Sequence, residues 1–174
     1  MTTDNCMKQV HIITPVKDSI DLTLETARAV LASRWHVPVT YTIYNDFSTD
    51  ENTRRLEEAS QELGFELVNL RDITSHPSPN YLLVLQMAQK RAIEAEAGLL
   101  IVESDVIVRE NTLQGLFDGA LAHPDCGIAA SVTVDEQGTV NYPYLYASDY
   151  PKEACEVKKH CSFCLSLIHI SEPT

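Results

Sequence analysis

The stretch Leu99-Leu100-Ile101-Val102-Glu103-Ser104-Asp105 runs four apolar residues straight into an acid, a small residue and a second acid. An unbroken apolar run of this length reads as a strand buried on both faces, the kind found in parallel sheets. Open α/β sheets hold their ligands outside the carboxyl ends of such strands. Two carboxylates two positions apart, where strand gives way to loop, can turn toward one site. Hard divalent cations such as Mg²⁺ and Mn²⁺ take oxygen ligands and often share them with substrate phosphates. The chemistry this pattern suits is a cation that holds a phosphorylated ligand. The plain alternative is a pair of solvated acids in an acidic protein.

Such an edge needs strands and helices to carry it. Val10 to Thr14 reads as a first strand, ended by Pro15, which has no N–H for a ladder. Residues 21–33 read as a helix with Leu24, Ala27 and Leu31 on one face. Val39 to Tyr44, after Pro38, is a second strand rich in β-branched and aromatic residues. Ser48 and Glu51 have the spacing of a capping box, which starts a helix with the stripe Leu56, Ala59, Leu63 and a stop at Gly64. Phe65 to Leu70 is a third strand, and residues 71–80 are a loop over the sheet ends. A helix over 81–97 buries Leu85, Ala88, Ala92 and Ala95, and Gly98 leads into the central strand. Asn111 with Gln114 caps a further helix, whose stripe is Leu113, Leu116, Phe117 and Ala120. Cys126 to Val134 is a further strand, with Val140 to Tyr144 returning beside it.

Strand and helix alternate, so the expected fold class is α/β: a doubly wound, mostly parallel sheet flanked by helices, with right-handed crossovers. The glycines stand at 64, 98, 115, 119, 127 and 138, and none clusters after a strand. Neither the Gly-x-Gly-x-x-Gly fingerprint nor the Walker pattern is present, which argues against a nicotinamide-binding Rossmann domain and a P-loop enzyme.

With 174 residues the chain can bury one core. Thirteen basic and twenty-five acidic residues give a net charge of −12. That balance argues against a nucleic-acid or anionic-membrane surface, which needs clustered Lys and Arg. It is compatible with binding a phosphate through a cation. No apolar stretch approaches the ~20 residues of a membrane span. Met1 to Lys8 has no signal-peptide core. The expectation is a cytoplasmic protein, peripheral at the inner membrane face at most. Five cysteines, an odd number, fit a reducing compartment. Cys155, His160, Cys161 and Cys164 can be drawn as a zinc knuckle, but three of them crowd together where structural zinc wants two separated ligand pairs.

Three segments in order are more specific than any one. They are Val10-His11-Ile12-Ile13-Thr14-Pro15-Val16-Lys17-Asp18, then Tyr41-Thr42-Ile43-Tyr44-Asn45-Asp46-Phe47-Ser48-Thr49-Asp50, then the central strand ending in Glu103-Ser104-Asp105. Together they resemble the nucleotide-sugar-binding part of a family 2 glycosyltransferase of the GT-A fold. There an apolar strand ends in [TI]-P-x-x-[ND], a second in V-D-D-x-S-x-D and a third in D-x-D. The resemblance covers residues 9–165, as one partial domain. It departs from the pattern at Asn45 and at Glu103, each of which replaces an aspartate, and the segment before the central strand is reduced to Gln89-Lys90-Arg91.

The resemblance implies transfer of a sugar from a nucleoside diphosphate sugar, with a UDP-sugar the first expectation, to a glycan, lipid or protein hydroxyl. It implies a divalent metal, Mn²⁺ or Mg²⁺, and an inverting outcome. Asp105 would ligate the ion, with Glu103 assisting it or holding the ribose beside Ser104. Asn45 and Asp46 would bind the nucleoside, Thr14, Pro15 and Val16 would form the wall under the base, Asp18 would join them in binding the nucleotide sugar, and Arg91 would meet the diphosphate. Each has a duller reading. Asp46 can hold a turn, Asp18 can be a loop acid, Thr14 can merely end a strand, Asp50 can start a helix, and His76 can lie in solvent. Tyr142, Tyr144 and Tyr146 alternate as on one strand face, suited to stacking a sugar or to half-burial.

No residue is assigned as the catalytic base. Residues 166–174, Ser-Leu-Ile-His-Ile-Ser-Glu-Pro-Thr, resemble translated sequencing-adapter read-through. The expectation is therefore a non-native tail on an enzyme whose acceptor half and base are missing. Alternatives are a sugar-nucleotide-binding fragment without turnover, a nucleotidyltransferase and a phosphoacceptor signalling domain. The nucleotidyltransferase would want a Gly- and Arg-rich loop after the first strand. The signalling domain would want acids where Thr14 and Pro15 stand.

Overall fold

The computed structural model describes residues 7–123 and 126–131. The chain divides into two compact units, Met1–Gln114 and Gly115–Thr174. The first carries β1 (Val10–Val16), α1 (Ile20–Leu31), β2 (Val39–Asn45), α2 (Asp50–Leu63), β3 (Glu66–Asn69), a 3₁₀ turn Leu70–Asp72, α3 (Tyr81–Glu94) and β4 (Gly98–Ile101). Helix α4 (Thr112–Ala122) crosses the boundary between the units. All four strands are parallel, in the order β3-β2-β1-β4. This is the α/β sheet flanked by helices that the alternation of elements predicts.

Side chains of successive strand residues take opposite faces. On one face Ile13 and Tyr44 pack with Val84 and Ala88 of α3 and with Leu70. On the other, Asn45 bonds Thr53 of α2, and Ile12 and Tyr41 share the wall of a cavity of about 280 Å³ with Val30 of α1. Helices α1 and α2 therefore cover one face and α3 the other. The chain winds from β1 through β2 to β3, then crosses back over α3 to β4 on the far side of β1. Strand order reverses between β1 and β4, and the crevice at that reversal is where α/β sheets take ligands.

Several local expectations are corrected. Strand β1 does not stop at Pro15 but runs on to Val16. Ile13 C=O accepts from Val102 on the β4 side, and Val16 C=O accepts from Asp46 on the β2 side. Pro15 therefore faces β4, whose ladder ends at Ile101 opposite Ile13. Its missing N–H removes no bond there.

The buried face of α1 is Ile20, Thr23, Thr26, Ala27 and Val30, whereas Leu31 is 40% exposed and Leu24 half-buried. Two buried threonines fit this face because each hydroxyl finds a carbonyl, Thr23 on Ser19 and Thr26 on Ser104. The N-cap of α2 is Thr49, whose Oγ1 accepts from Asn52 N–H, and not Ser48. Helix α3 ends at Glu94, Glu96 takes φ 50°, and Ala95 is exposed. Residues 126–131 form no strand.

Gln114 is buried, and its Oε1 accepts from His36 N–H. The expected strand at Val140–Tyr144, the tyrosines at 142, 144 and 146, the cysteines at 155, 161 and 164 with His160, and the 166–174 tail lie outside the described residues. Among the described residues no helix is long and apolar enough to cross a membrane.

Candidate functional site

The loops after β1 and β2 are locked to each other. Asp18, Ser19 and Phe47 all adopt positive φ, at 58°, 30° and 59°, a conformation that costs non-glycine residues energy. Hydrogen bonds hold them there. Asp18 N–H donates to Ser48 Oγ at 2.8 Å, and Asp18 Oδ1 accepts from Thr49 N–H at 2.9 Å and Asn52 Nδ2 at 3.1 Å. The Thr49 N–H, followed by the Asn52 amide, holds the Asp18 carboxyl below its ordinary range. Buried Ser48 is thus the socket of this clasp.

Three residues expected to meet a nucleoside face the interior. Thr14 is fully buried, and its hydroxyl lies 2.9 Å from Tyr41 OH. Asn45 is 1% exposed. Its amide donates to Thr53 Oγ1 and Asn69 Oδ1, both at 2.9 Å, and its Oδ1 accepts from Ser48 N–H at 3.2 Å. Both of its donors are engaged, so it ties β2, β3 and α2 together.

Asp46 Oδ2 accepts from Ser78 Oγ at 2.7 Å and Asn80 N–H at 2.8 Å, and its Oδ1 accepts from Asn80 Nδ2 at 2.7 Å. Burial alone would raise this carboxyl. The Asn80 side chain and N–H and the Ser78 hydroxyl outweigh burial and hold it below the ordinary range. Asn80 is the N-cap of α3 and makes no side-chain cap bond; its Nδ2 donates to Asp46 Oδ1 and to the His76 carbonyl.

The acid pair lies where β4 ends beside β1. Val102 N–H reaches the Ile13 carbonyl at 2.9 Å, and Thr26 Oγ1 of α1 donates to the Ser104 carbonyl at 3.1 Å. Glu103 is half-buried and Asp105 exposed. Tyr81, the first residue of α3, donates its hydroxyl to Glu103 Oε1 at 3.1 Å. Burial, and then the Asp105 charge, push the Glu103 carboxyl above its usual range, with the Tyr81 bond opposing. The Tyr81 hydroxyl is pushed up to about 12, by burial first and then by the Glu103 charge.

A divalent cation fits this donor set. The Asp105 charge helps raise the Glu103 carboxyl, a cost that a cation beside the two acids would relieve. Among the described residues no group of three His, Cys, Asp or Glu side chains could hold an ion alone. The remaining ligands would be water or ligand oxygens, the usual arrangement for Mg²⁺ with a phosphate.

Asp18, Asp46, Glu103, Ser104 and Asp105 thus all follow the carboxyl ends of β1, β2 and β4, with Pro15 and Val16 closing β1. Arg91 does not join them. It sits near the C-terminus of α3, at the other end of the sheet, and grips Glu66 at the start of β3 with both guanidinium nitrogens, one contact at 2.9 Å. An α-helix returning antiparallel to its strands carries its last turn away from their carboxyl ends, which is why the diphosphate role does not suit this residue. His76 is exposed, and its ring nitrogen contacts the Pro77 carbonyl. Asp50 pairs with Arg71 at the surface.

Two residues were not singled out from sequence. Lys17 is exposed at the end of β1, and its charge helps hold both Asp18 and Asp46 ionised. A lone lysine after a strand carries no signal of its own. Tyr81 could be found only once α3 was known to start against β4.

No protein-family model matches the chain, and a search of curated proteins finds no match. Solved structures do share the fold. S. aureus TarS 1–349 matches with a TM-score of 0.50 at 20% identity, over 67% of this chain and 33% of that one. The mannosyltransferase PcManGT from Pyrobaculum calidifontis, in complex with GDP-Man and Mn²⁺, matches with a TM-score of 0.50 at 18% identity, over 74% of this chain and 36% of that one. The chain spans about a third of the length of these structures, and the likeness is one of fold.

Proposed function

We propose that this chain binds a nucleoside diphosphate sugar as the donor half of a glycosyltransferase of the GT-A, family 2 kind. The observation that carries the reading is the acid pair Glu103 and Asp105 at the end of β4, beside β1, where strand order reverses. A mannosyltransferase of the same fold was solved with GDP-Man and Mn²⁺, which supports a nucleotide-sugar ligand and a divalent ion.

In this reading Asp105 and Glu103 hold Mn²⁺ or Mg²⁺. When bound, that ion neutralises the charge that develops on the departing diphosphate. Glu103 also reaches the ribose, with the Ser104 backbone held by Thr26. Pro15 and Val16 form the wall beside the base, and Asp18 keeps the loop that closes it. Asp46 and Asn45 contribute by fixing the β2–α2 loop, because their polar atoms are already engaged. Lys17 replaces Arg91 as the cation nearest the diphosphate. Among the described residues none is assigned as the catalytic base.

Calorimetric titration of the 174-residue chain with UDP and GDP, each with Mn²⁺ and with EDTA, tests the reading. Binding that is tighter with Mn²⁺ than with EDTA, and that Asp105→Asn weakens with Mn²⁺ but not with EDTA, is expected. No binding of either nucleotide under any condition overturns it. The nucleotidyltransferase and signalling alternatives gain nothing, since residues 14–18 carry neither a Gly- and Arg-rich loop nor an acid pair.

A further inference from the structure

Residues 78–81 link two places that the sheet keeps apart. In the order β3-β2-β1-β4, strands β2 and β4 are separated by β1. Ser78 and Asn80 bond the Asp46 carboxylate after β2, and Tyr81, the next residue, bonds the Glu103 carboxylate after β4. The chain between these anchors is a single peptide unit, and Tyr81 is already in the first turn of α3. A helix packed on the core by Val84 and Ala88 has little freedom to rotate about that point. The Tyr81 hydroxyl therefore approaches Glu103 from a fixed origin, and Asp46 supplies the fixing.

We infer that Tyr81 is a positioning residue of the cation-and-diphosphate site: it sets the direction of the Glu103 carboxylate, and Asp46 acts at the same site at second hand, by anchoring residues 78–80. The inference rests on the reading above of Glu103 and Asp105. One oxygen of Glu103 is occupied by the tyrosine, which leaves the other to turn toward Asp105 and a cation between them. Without the hydroxyl, a half-buried glutamate has several rotamers open to it, and only some of them face Asp105.

The test is isothermal titration of the intact chain and its Tyr81→Phe variant with UDP, once with Mn²⁺ and once with EDTA. A thermal midpoint is measured for each protein. Removing a partner that orients a metal ligand lowers metal affinity roughly 10-fold or more. Tyr81→Phe is therefore expected to weaken Mn²⁺-supported binding about 10-fold, with EDTA binding within about 2-fold of wild type and the midpoint nearly unmoved. Ser78→Ala, which loosens the anchor and leaves Tyr81 in place, is expected to move the Mn²⁺ arm in the same direction by less. Equal affinities of wild type and Tyr81→Phe in Mn²⁺ overturn the positioning role and leave the site reading standing. Equal loss in both arms makes Tyr81 a packing residue and also overturns it. Failure of the wild type to bind in either arm overturns the site reading itself, and the positioning role with it.

Discussion

At the scale of single residues, Asp18 and Asp46 spend their carboxylates on the protein itself. Asp18, Asp46 and Asn45 were legible as a motif, but their work was not. Spacing shows that a polar group follows a strand, and only the fold shows that Ser78 and Asn80 lie against it. Asp105 is the acid that the proposed function assigns to the cation. Losing one charge-bearing contact costs about 1.5–3 kcal/mol, so Asp105→Asn should weaken UDP binding in Mn²⁺ roughly 10- to 100-fold and barely alter it in EDTA. Competition binding in the two buffers checks this, and parallel losses count against the metal role.

His11 was invisible as anything but a strand residue. It is 2% exposed, and among the described residues its Nε2 is the buried side-chain atom with no hydrogen bond. Burial, then the Arg91 charge, lower its pKa, with Glu66 opposing. A histidine that resists its proton when folded leaves stability intact above the unfolded value of about 6.5. Stability is lost as pH falls below that value, because the unfolded chain takes up the proton first. The midpoint drop between pH 8 and pH 5 should therefore be smaller in His11→Gln than in wild type, as thermal melts at both pH values would show. Equal drops would remove His11 from the linkage.

At the scale of elements, the positions of strands and helices were largely readable, and their edges and faces were not. Proline predicted the end of β1 correctly as a donor rule and wrongly as a place, because the side of the strand that needs no donor depends on where β4 stops. Hydrophobic spacing chose Leu31 for the buried face of α1 over Thr23 and Thr26. A threonine enters a core when a carbonyl is within reach, and those carbonyls belong to Ser19 and Ser104. Ser48 looked like a cap and is instead a socket for Asp18.

The joint most worth breaking is the one at α3. Asp46→Ala strips the partner from the buried Asn80 N–H and one of two acceptors from its amide, which keeps the His76 carbonyl. An orphaned buried N–H costs about 1–3 kcal/mol, so a loss of roughly 1–3 kcal/mol in denaturant unfolding is expected. Asn80→Asp, which places two carboxylates face to face, should be at least as damaging. A change under about 0.5 kcal/mol in Asp46→Ala, the size of an ordinary surface substitution, would mean that α3 is held by its apolar face alone.

At the scale of the whole molecule, charge bears on how a diphosphate can arrive at all. The chain carries −12, and among the described residues Lys17 is exposed at the carboxyl edge, while Arg71 is bound to Asp50 and the Ser48 carbonyl, and Arg91 lies at the far end with Glu66. A free nucleoside diphosphate is itself an anion and meets a repulsive field. A site built from acids can still take it if a divalent ion comes with it, which is the physical sense of an acidic protein binding an acidic ligand.

The two cases differ in their response to monovalent salt, which screens exposed charges within about 10 Å at 0.1 M. If the field repels the ligand, UDP binding in EDTA should strengthen or stay level as salt rises from low concentration, because screening removes repulsion. If a basic clamp held the phosphates, the same titration would show binding fall steadily with salt, as counterion release requires. In Mn²⁺ the dependence should be shallow, since ligand and ion together present less charge to the protein. A steep fall with salt in EDTA would show that the phosphate is gripped by lysine and arginine, and the acid pair at the end of β4 would then need another purpose.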